Sequence, residues 1–302
     1  MKNGQIWQDI DGNDIQAHGG CIIEYNGTYY WYGEYKGVDN IPGKKQIPAM
    51  GVACYSSKNL AAWKFEGMVF ESDKNDPESP VHTSKVVERP KVVYNEKTKK
   101  FVLWMHVDRA DYSYAGVGVA ISDSPKGPFT FLKAMIPNKQ DSRDMTVYKD
   151  KDGVAYLFHS KDRNKTMNIA RLNDEYTDVD GFYVSVLVDQ EREAPALFEK
   201  DGMYYMVSSG CTSWDPNAAL FAICPHINGK WKLIDNPCRG ENADKTFFGQ
   251  SSYIFEADGR FYLMLDHWKP ENLKKSGYSI LPIEVTEDNC LLIPWQEEWL
   301  GI

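Results

Sequence analysis

Polar turns followed by strands of alternating apolar residues recur five times along the chain. Four of the turns contain Asn-Gly or Asp-Gly, and each turn precedes an aromatic-rich run such as YYWYGEY or MYYMVSS. Because glycine adopts the positive φ of a tight turn, this pattern predicts five β-hairpins. The second strands of the hairpins begin at Tyr29, Phe101, Ala155, Tyr204 and Phe261.

The spacing of these hairpins predicts the fold. They follow one another at intervals of roughly 50–70 residues, which is enough for four short strands and their turns in each repeat. Repeated four-stranded sheets form the blades of a β-propeller, whereas a β-sandwich has more closely spaced strands and no five-fold recurrence. No long helical pattern and no linker interrupts the chain. We therefore expect an all-β fold, a five-bladed β-propeller, with residues 1–302 forming one domain.

Equivalent positions of the repeats carry polar residues. Nine residues before the hairpin glycine stand His18, Asp144, Glu193 and Gln250, and the repeat with a longer turn has Glu88 at the matching place. In a propeller the first strands of the blades start at one end of the central channel, so these five side chains are expected to share a cavity. Grouped carboxylates raise the pKa of at least one member, as a general acid requires. Taken alone, each residue is more often a turn or capping residue.

The composition fits a sugar-binding protein and argues against several other classes. The chain has 18 Tyr, 13 Phe and 9 Trp, and flat aromatic faces suit sugar rings. The net charge is −9, without the basic patch that a nucleic-acid-binding protein needs. No apolar run approaches the roughly 20 residues of a membrane span. The six cysteines form no C-x-x-C pair and are expected to be free thiols.

Longer stretches of the chain add a family resemblance. They are DIDGNDIQAHGG (9–20), YYWYGE (29–34), ERPKVVYN (88–95), GVGVAISDSPKGPF (116–129), SRDMTVYKDKDG (142–153), REAPALF (192–198), SGCTSWDPNAA (209–219) and ADKTFFGQS (243–251). Together they resemble glycoside hydrolase family 43, the inverting five-bladed propeller enzymes, and most of all its exo-β-1,3-galactanase subfamily. The similarity covers nearly the whole chain.

The resemblance implies a catalytic set. Glu193 would be the proton donor, and Asp144 would tune its pKa and hold the sugar. Most of family 43 has an Asp general base in the first blade, where this chain reads Gln16-Ala17-His18 and has no carboxylate. The galactanase-like subfamily shares this departure, and there a glutamine matching Gln250 is thought to act as the base in its imidic acid form. Glu88 would then help to hold the water, or Glu88 would itself be the base.

Substrate contacts follow from the same resemblance. Tyr112 is similar to the aromatic residue that stacks beneath the terminal sugar. The other expected contacts are on loops or strand ends near the pocket: His18, Glu34, Asn168, Thr212 and Trp214. Calcium occurs in part of the wider family, but no Asp-rich loop requires it here, so we expect no cofactor and no metal ion.

The sequence thus predicts an inverting exo-glycoside hydrolase that releases terminal galactose from β-1,3-galactan or arabinogalactan chains. An α-L-arabinofuranosidase of the same family is the first alternative, and a non-catalytic carbohydrate-binding propeller is the second. The expected partner is an oligosaccharide or polysaccharide, with neither nucleic acid nor membrane. No signal peptide is visible, which predicts a cytoplasmic protein as written, or a secreted or periplasmic one if a leader precedes it.

Overall fold

The predicted hairpins all form, and four of them turn at the expected glycines. In the computed structural model, which describes all 302 residues, Gly27 has a φ of +67° and Gly153 one of +82°. A side chain at these positions would be strained, so glycine fixes where these four hairpins fold back. The second strands start at or within one residue of the predicted positions.

The strands form five sheets, one for each predicted repeat, and all pairs of neighbouring strands are antiparallel except one at the edge of the fifth sheet. The first blade has β1 (His18–Glu24), β2 (Tyr29–Glu34), β3 (Gly51–Ser57) and β4 (Lys64–Glu71). The second has β5 (Val86–Asn95), β6 (Lys100–Asp108), β7 (Gly116–Ser122) and β8 (Thr130–Met135). The third has β9 (Met145–Lys149), β10 (Ala155–Lys161), β11 (Thr166–Leu172) and β12 (Val179–Val186). The fourth has β13 (Arg192–Lys200), β14 (Met203–Gly210), β15 (Leu220–Cys224) and β16 (Lys232–Leu233).

The fifth blade has one additional short strand. It contains β17 (Cys238–Arg239), β18 (Gln250–Ala257), β19 (Arg260–His267), β20 (Gly277–Val285) and β21 (Leu291–Pro294), and β17 pairs parallel to β21 at its outer edge. Three short helical segments complete the structure: Pro137–Lys139, Ala243–Phe248 and Leu273–Lys275. None of them has the length and hydropathy needed to span a bilayer.

The first strands of the blades form a closed ring around the central axis. Each of β1, β5, β9, β13 and β18 contacts the first strand of the next blade, and β18 contacts β1. The chain is therefore a five-bladed β-propeller, as the hairpin spacing predicts. Buried aromatic and aliphatic residues fill the spaces between blades, among them Trp31, Trp63 and Trp104. All six cysteines are free.

Candidate active site

The equivalent polar positions lie where the sequence analysis expects them along the strands. His18 begins β1 and Gln250 begins β18, Glu193 is the second residue of β13, and Asp144 immediately precedes β9. Glu88 is the third residue of β5. At this end of the channel the structure has a cavity of about 640 Å³. The predicted site residues that line it are Glu34, Glu88, Tyr112, Asp144, Glu193, Trp214 and Gln250.

Irregular strand pairing aims several of these side chains into the channel. The register shifts directly after Glu88 and after Glu193, and the residues that follow, Arg89 and Ala194, have φ of +54° and +53°. In the first blade Gly19 has the same left-handed conformation, and a Cβ there would lie 2.4 Å from Glu34 Oε1. A β-bulge turns the neighbouring side chain away from the regular alternation of a strand. The bulges therefore position the cavity residues.

Arg89, on the second blade, connects to three other blades at the base of the cavity. Its guanidinium donates to both carboxylate oxygens of Asp144, at 3.0 and 2.8 Å, and to Gln250 Oε1 at 2.6 Å. Its backbone N–H donates to Glu34 Oε1 at 3.0 Å. Burial acts to lower the pKa of Arg89, but Asp144 and the other nearby carboxylates outweigh it and raise that pKa. The two-point contact with Asp144 gives both a fixed geometry and charge compensation.

Glu193 has the environment of a general acid. Its carboxyl oxygens accept hydrogen bonds from Gln250 Nε2 and Asn164 Nδ2, each at 3.1 Å. Burial raises the pKa of Glu193 to about 8, and the negative charge of Asp144 acts in the same direction, while Arg89 opposes both. The side chain is therefore mostly protonated at neutral pH and has a proton to give.

Glu88 has the opposite character. Tyr112 donates its hydroxyl to Glu88 Oε1 at 2.9 Å, and His106 Nδ1 lies 3.6 Å from Oε2. Burial acts to raise the pKa of Glu88, but His106, Lys36 and Tyr112 outweigh it and lower the pKa to about 2. His106 is itself buried between Glu88 and Asp108, which raise its pKa to about 9 against the effect of burial. Glu88 is therefore a carboxylate at neutral pH.

The Gln250 amide makes four hydrogen bonds to protein groups. Its oxygen accepts from the Arg89 guanidinium and from Trp268 Nε1 at 2.9 Å. Its nitrogen donates to Glu193 and to Ser209 Oγ at 3.0 Å. Arginine and tryptophan side chains have no acceptor atom, so the Gln250 oxygen faces two donors and is held as an amide carbonyl.

Two further features define the walls of the cavity. The buried Lys36 ammonium lies 2.6 Å from Glu34 Oε2 and neutralises that carboxylate. The Trp214 and Trp268 rings approach edge to face with centroids 6.1 Å apart. The cavity thus combines charged hydrogen-bonding groups with aromatic faces, as sugar-binding sites do. No group of three or more His, Cys, Asp or Glu side chains has the arrangement needed to hold a metal ion.

Sequence comparison decides the family. The family model described as glycosyl hydrolases family 43 matches residues 18–233. The chain belongs to this family. It is accordingly a glycoside hydrolase, as its enzymatic and structural relatives indicate.

Solved family 43 structures resemble this hydrolase along almost its entire length. A β-1,3-galactosidase solved with galactodeoxynojirimycin is 36% identical with a TM-score of 0.93, and the match covers 99% of both chains. An exo-β-1,3-galactanase from Clostridium thermocellum is 31% identical with a TM-score of 0.86, over 98% of this chain and 65% of that one. An exo-β-1,3-galactanase from Phanerochaete chrysosporium, solved with galactose, is 30% identical with a TM-score of 0.87, over 97% and 66%. No curated protein sequence matches significantly.

Three of the residues expected to bind substrate do not line the cavity of this family 43 hydrolase. His18 is fully buried, where it hydrogen-bonds Asp266 and stacks on Tyr278. Asn168 is buried in the third blade and bonded to His159. Thr212 is exposed outside the cavity and bonds within its own loop. Their substrate-binding roles stay predictions and enter none of the proposals below.

Several residues of the site escaped the sequence analysis. They are Lys36, Arg89, His106, Asn164, Ser209 and Trp268. Two of them had a signal in the repeat. His106 and Ser209 pair across the hairpin with Glu88 and Glu193, so antiparallel register alone would have placed them beside the two carboxyl groups. The others lie on bulges or loops, which hairpin spacing does not determine.

Proposed function

We propose that this family 43 hydrolase is an inverting exo-enzyme that releases terminal galactose from β-1,3-galactan. One observation carries the proposal: a single cavity holds two carboxyl groups from different blades, Glu193 with a raised pKa and Glu88 with a lowered pKa. Two carboxyl groups with opposite protonation states are what acid-assisted glycoside hydrolysis uses. The β-1,3-galactan substrate is supported by the galactosidase and galactanases that the chain resembles.

In the proposed reaction Glu193 gives its proton to the glycosidic oxygen as the bond from that oxygen to the anomeric carbon breaks. Water attacks the anomeric carbon from the opposite face and loses a proton to Glu88. The products are galactose of inverted configuration and a chain shortened by one unit. Glu88 returns its proton to solvent and Glu193 regains one, so the enzyme ends as it began. Asp144, fixed by Arg89, keeps the Glu193 pKa high and faces the sugar.

We assign the water to Glu88 rather than to Gln250. In the imidic acid form the Gln250 oxygen bears a proton, yet that oxygen already receives N–H groups from Arg89 and Trp268. The tautomer would therefore turn a favourable contact into a repulsive one. Glu88 accepts one hydrogen bond from Tyr112 and has lone pairs left for a water molecule. Gln250 instead orients Glu193 through its amide nitrogen.

The experiment that tests the function compares two substrate classes. We expect the protein to release galactose from β-1,3-galactobiose and β-1,3-galactan, with the α-anomer appearing first by ¹H NMR. An α-L-arabinofuranoside offered at the same concentration should react at least about tenfold more slowly. A tenfold difference in rate requires only about 1.4 kcal/mol of difference in binding free energy. Faster cleavage of the arabinofuranoside would overturn the substrate assignment. First release of the β-anomer would overturn inversion.

The pH dependence follows from the state of Glu193. The acid works only when protonated, and its pKa is about 8, so kcat/KM should fall above about pH 8. Asp144→Asn removes a negative charge that raises this pKa and frees the positive Arg89, so the alkaline limb should move to lower pH. Rate profiles between pH 5 and 10, buffered at constant ionic strength, measure the alkaline limb of the unmodified protein and of Asp144→Asn.

A matched control is Asp123→Asn, which removes an exposed carboxylate paired with Lys100 outside the cavity. Its alkaline limb should coincide with that of the unmodified protein. An Asp144→Asn limb that stays in place, or moves to higher pH, would contradict the role given to Asp144.

A further inference from the structure

Three consecutive residues beside the site have left-handed backbone conformations. Thr246, Phe247 and Phe248 have φ of +49°, +56° and +65°. None of them is glycine or asparagine, and a left-handed conformation costs free energy at each bulky or β-branched residue. Strain of this kind persists only where surrounding contacts hold it, and it concentrates at functional sites. The strain of this turn therefore suggests that the side chains it positions have a function.

Two of the three side chains anchor the turn. Thr246 Oγ1 accepts from the backbone N–H of Ala219 and donates to the carbonyl of Asn217, both at 2.7 Å. Phe247 is buried, with its ring centroid 5.0 Å from that of Trp295. The turn is therefore bound to the 211–219 loop of the fourth blade and to the core of the fifth.

The third side chain points the other way. Phe248 lines the catalytic cavity and is 48% exposed, although it is wholly apolar. The Lys245 ammonium lies over one face of the ring, 5.6 Å from its centroid. An ordered, exposed aromatic ring in a polar cavity offers one flat face to a ligand.

The position of Phe248 indicates which part of the ligand would contact its ring. Phe248 lies two residues before Gln250, whose amide contacts Glu193, and its turn is bonded to the loop that follows the Glu193 hairpin. Glu88 and Tyr112 come from the second blade instead. The ring thus shares a wall with the group that protonates the departing oxygen.

We propose that Phe248 is the stacking platform for the sugar on the leaving-group side of the cleaved bond. It rests on the proposed function, in which Glu193 is the acid. The apolar C–H face of a pyranose would lie on the ring, and the strained turn holds the ring in place before substrate arrives. Phe248 would therefore discriminate between leaving groups that carry a sugar and those that do not.

Two substrates with the same galactosyl group separate this role from a structural one. The leaving group of β-1,3-galactotriose is a sugar, whereas the leaving group of β-galactosyl fluoride is a fluoride ion, which cannot stack on Phe248. Phe248→Asn removes the ring, and asparagine tolerates the left-handed conformation, so the turn is retained. We expect kcat/KM for galactotriose to fall about tenfold, and that for the fluoride to change by less than about twofold.

Phe248→Tyr keeps the ring face and should restore the value for galactotriose. Asp244→Asn changes an exposed side chain of the same turn that lies outside the cavity, so it serves as a matched control and should leave both substrates unaffected. Equal losses on both substrates with Phe248→Asn, or no loss on either, would overturn the inference alone. An unmodified protein inactive on both substrates would refute the proposed function, and the inference with it.

Discussion

Glu193→Gln should lower kcat/KM for β-1,3-galactobiose by about 10²–10⁴-fold, the usual contribution of a general acid. Glutamine keeps the size of the side chain and can still accept one of the two N–H groups that Asn164 and Gln250 donate, but it has no acidic proton to give. The loss should shrink sharply for β-galactosyl fluoride, because fluoride departs without protonation. Steady-state rates on the two substrates, with circular dichroism to check folding, measure the effect.

A neighbouring glutamate provides the control for this prediction. Glu191 is exposed and lies just before β13, and its side chain takes no part in the cavity. Glu191→Gln should therefore keep full activity on both substrates. If Glu193→Gln reduced the two substrates equally, Glu193 would be a binding residue and another group would supply the proton.

Glu88→Ala should be nearly as damaging, and external azide should restore part of the activity. Removal of the carboxylate leaves the attacking water without a proton acceptor, which again corresponds to about 10²–10⁴-fold. Azide needs no deprotonation and fits the space left by the side chain. Azide that attacks from the face that water uses, opposite the leaving group, would give α-galactosyl azide, which mass spectrometry and ¹H NMR identify.

The corresponding Gln250 variant separates the two candidates for the base. Gln250→Ala breaks the contacts with Glu193, Arg89 and Trp268 but leaves Glu88 in place, so azide should not rescue it. Rescue of Gln250→Ala without rescue of Glu88→Ala would reverse our assignment and support the imidic acid mechanism.

The fold was within reach of the sequence because hairpins are local. Asn-Gly and Asp-Gly turns fix each strand pair within a few residues, and five similar pairs leave few arrangements other than a propeller. The same regularity located Glu88, Asp144, Glu193 and Gln250 at strand starts. Their common cavity followed from blade geometry rather than from any single motif.

The regularity failed where the backbone departs from it. His18 occupies an equivalent strand position, yet Asp266 binds its ring and Trp268, which does line the cavity, packs against it at 5.5 Å. The alternation of inward and outward side chains in a regular strand does not predict the direction of Arg89, because this residue lies on a bulge with positive φ. Such positions depend on long-range contacts between blades, which hairpin spacing does not encode.

The ring of first strands has a consequence for how this architecture can change. The reacting groups and their supports lie near the axis, whereas the outermost strands β4, β8, β12 and β16 contribute nothing to the cavity. Insertions at the rim would thus leave the chemistry undisturbed, while altered loops at the channel mouth would change which sugars are accepted. A propeller whose ring of first strands stays unchanged can therefore acquire new substrates through changes in single loops.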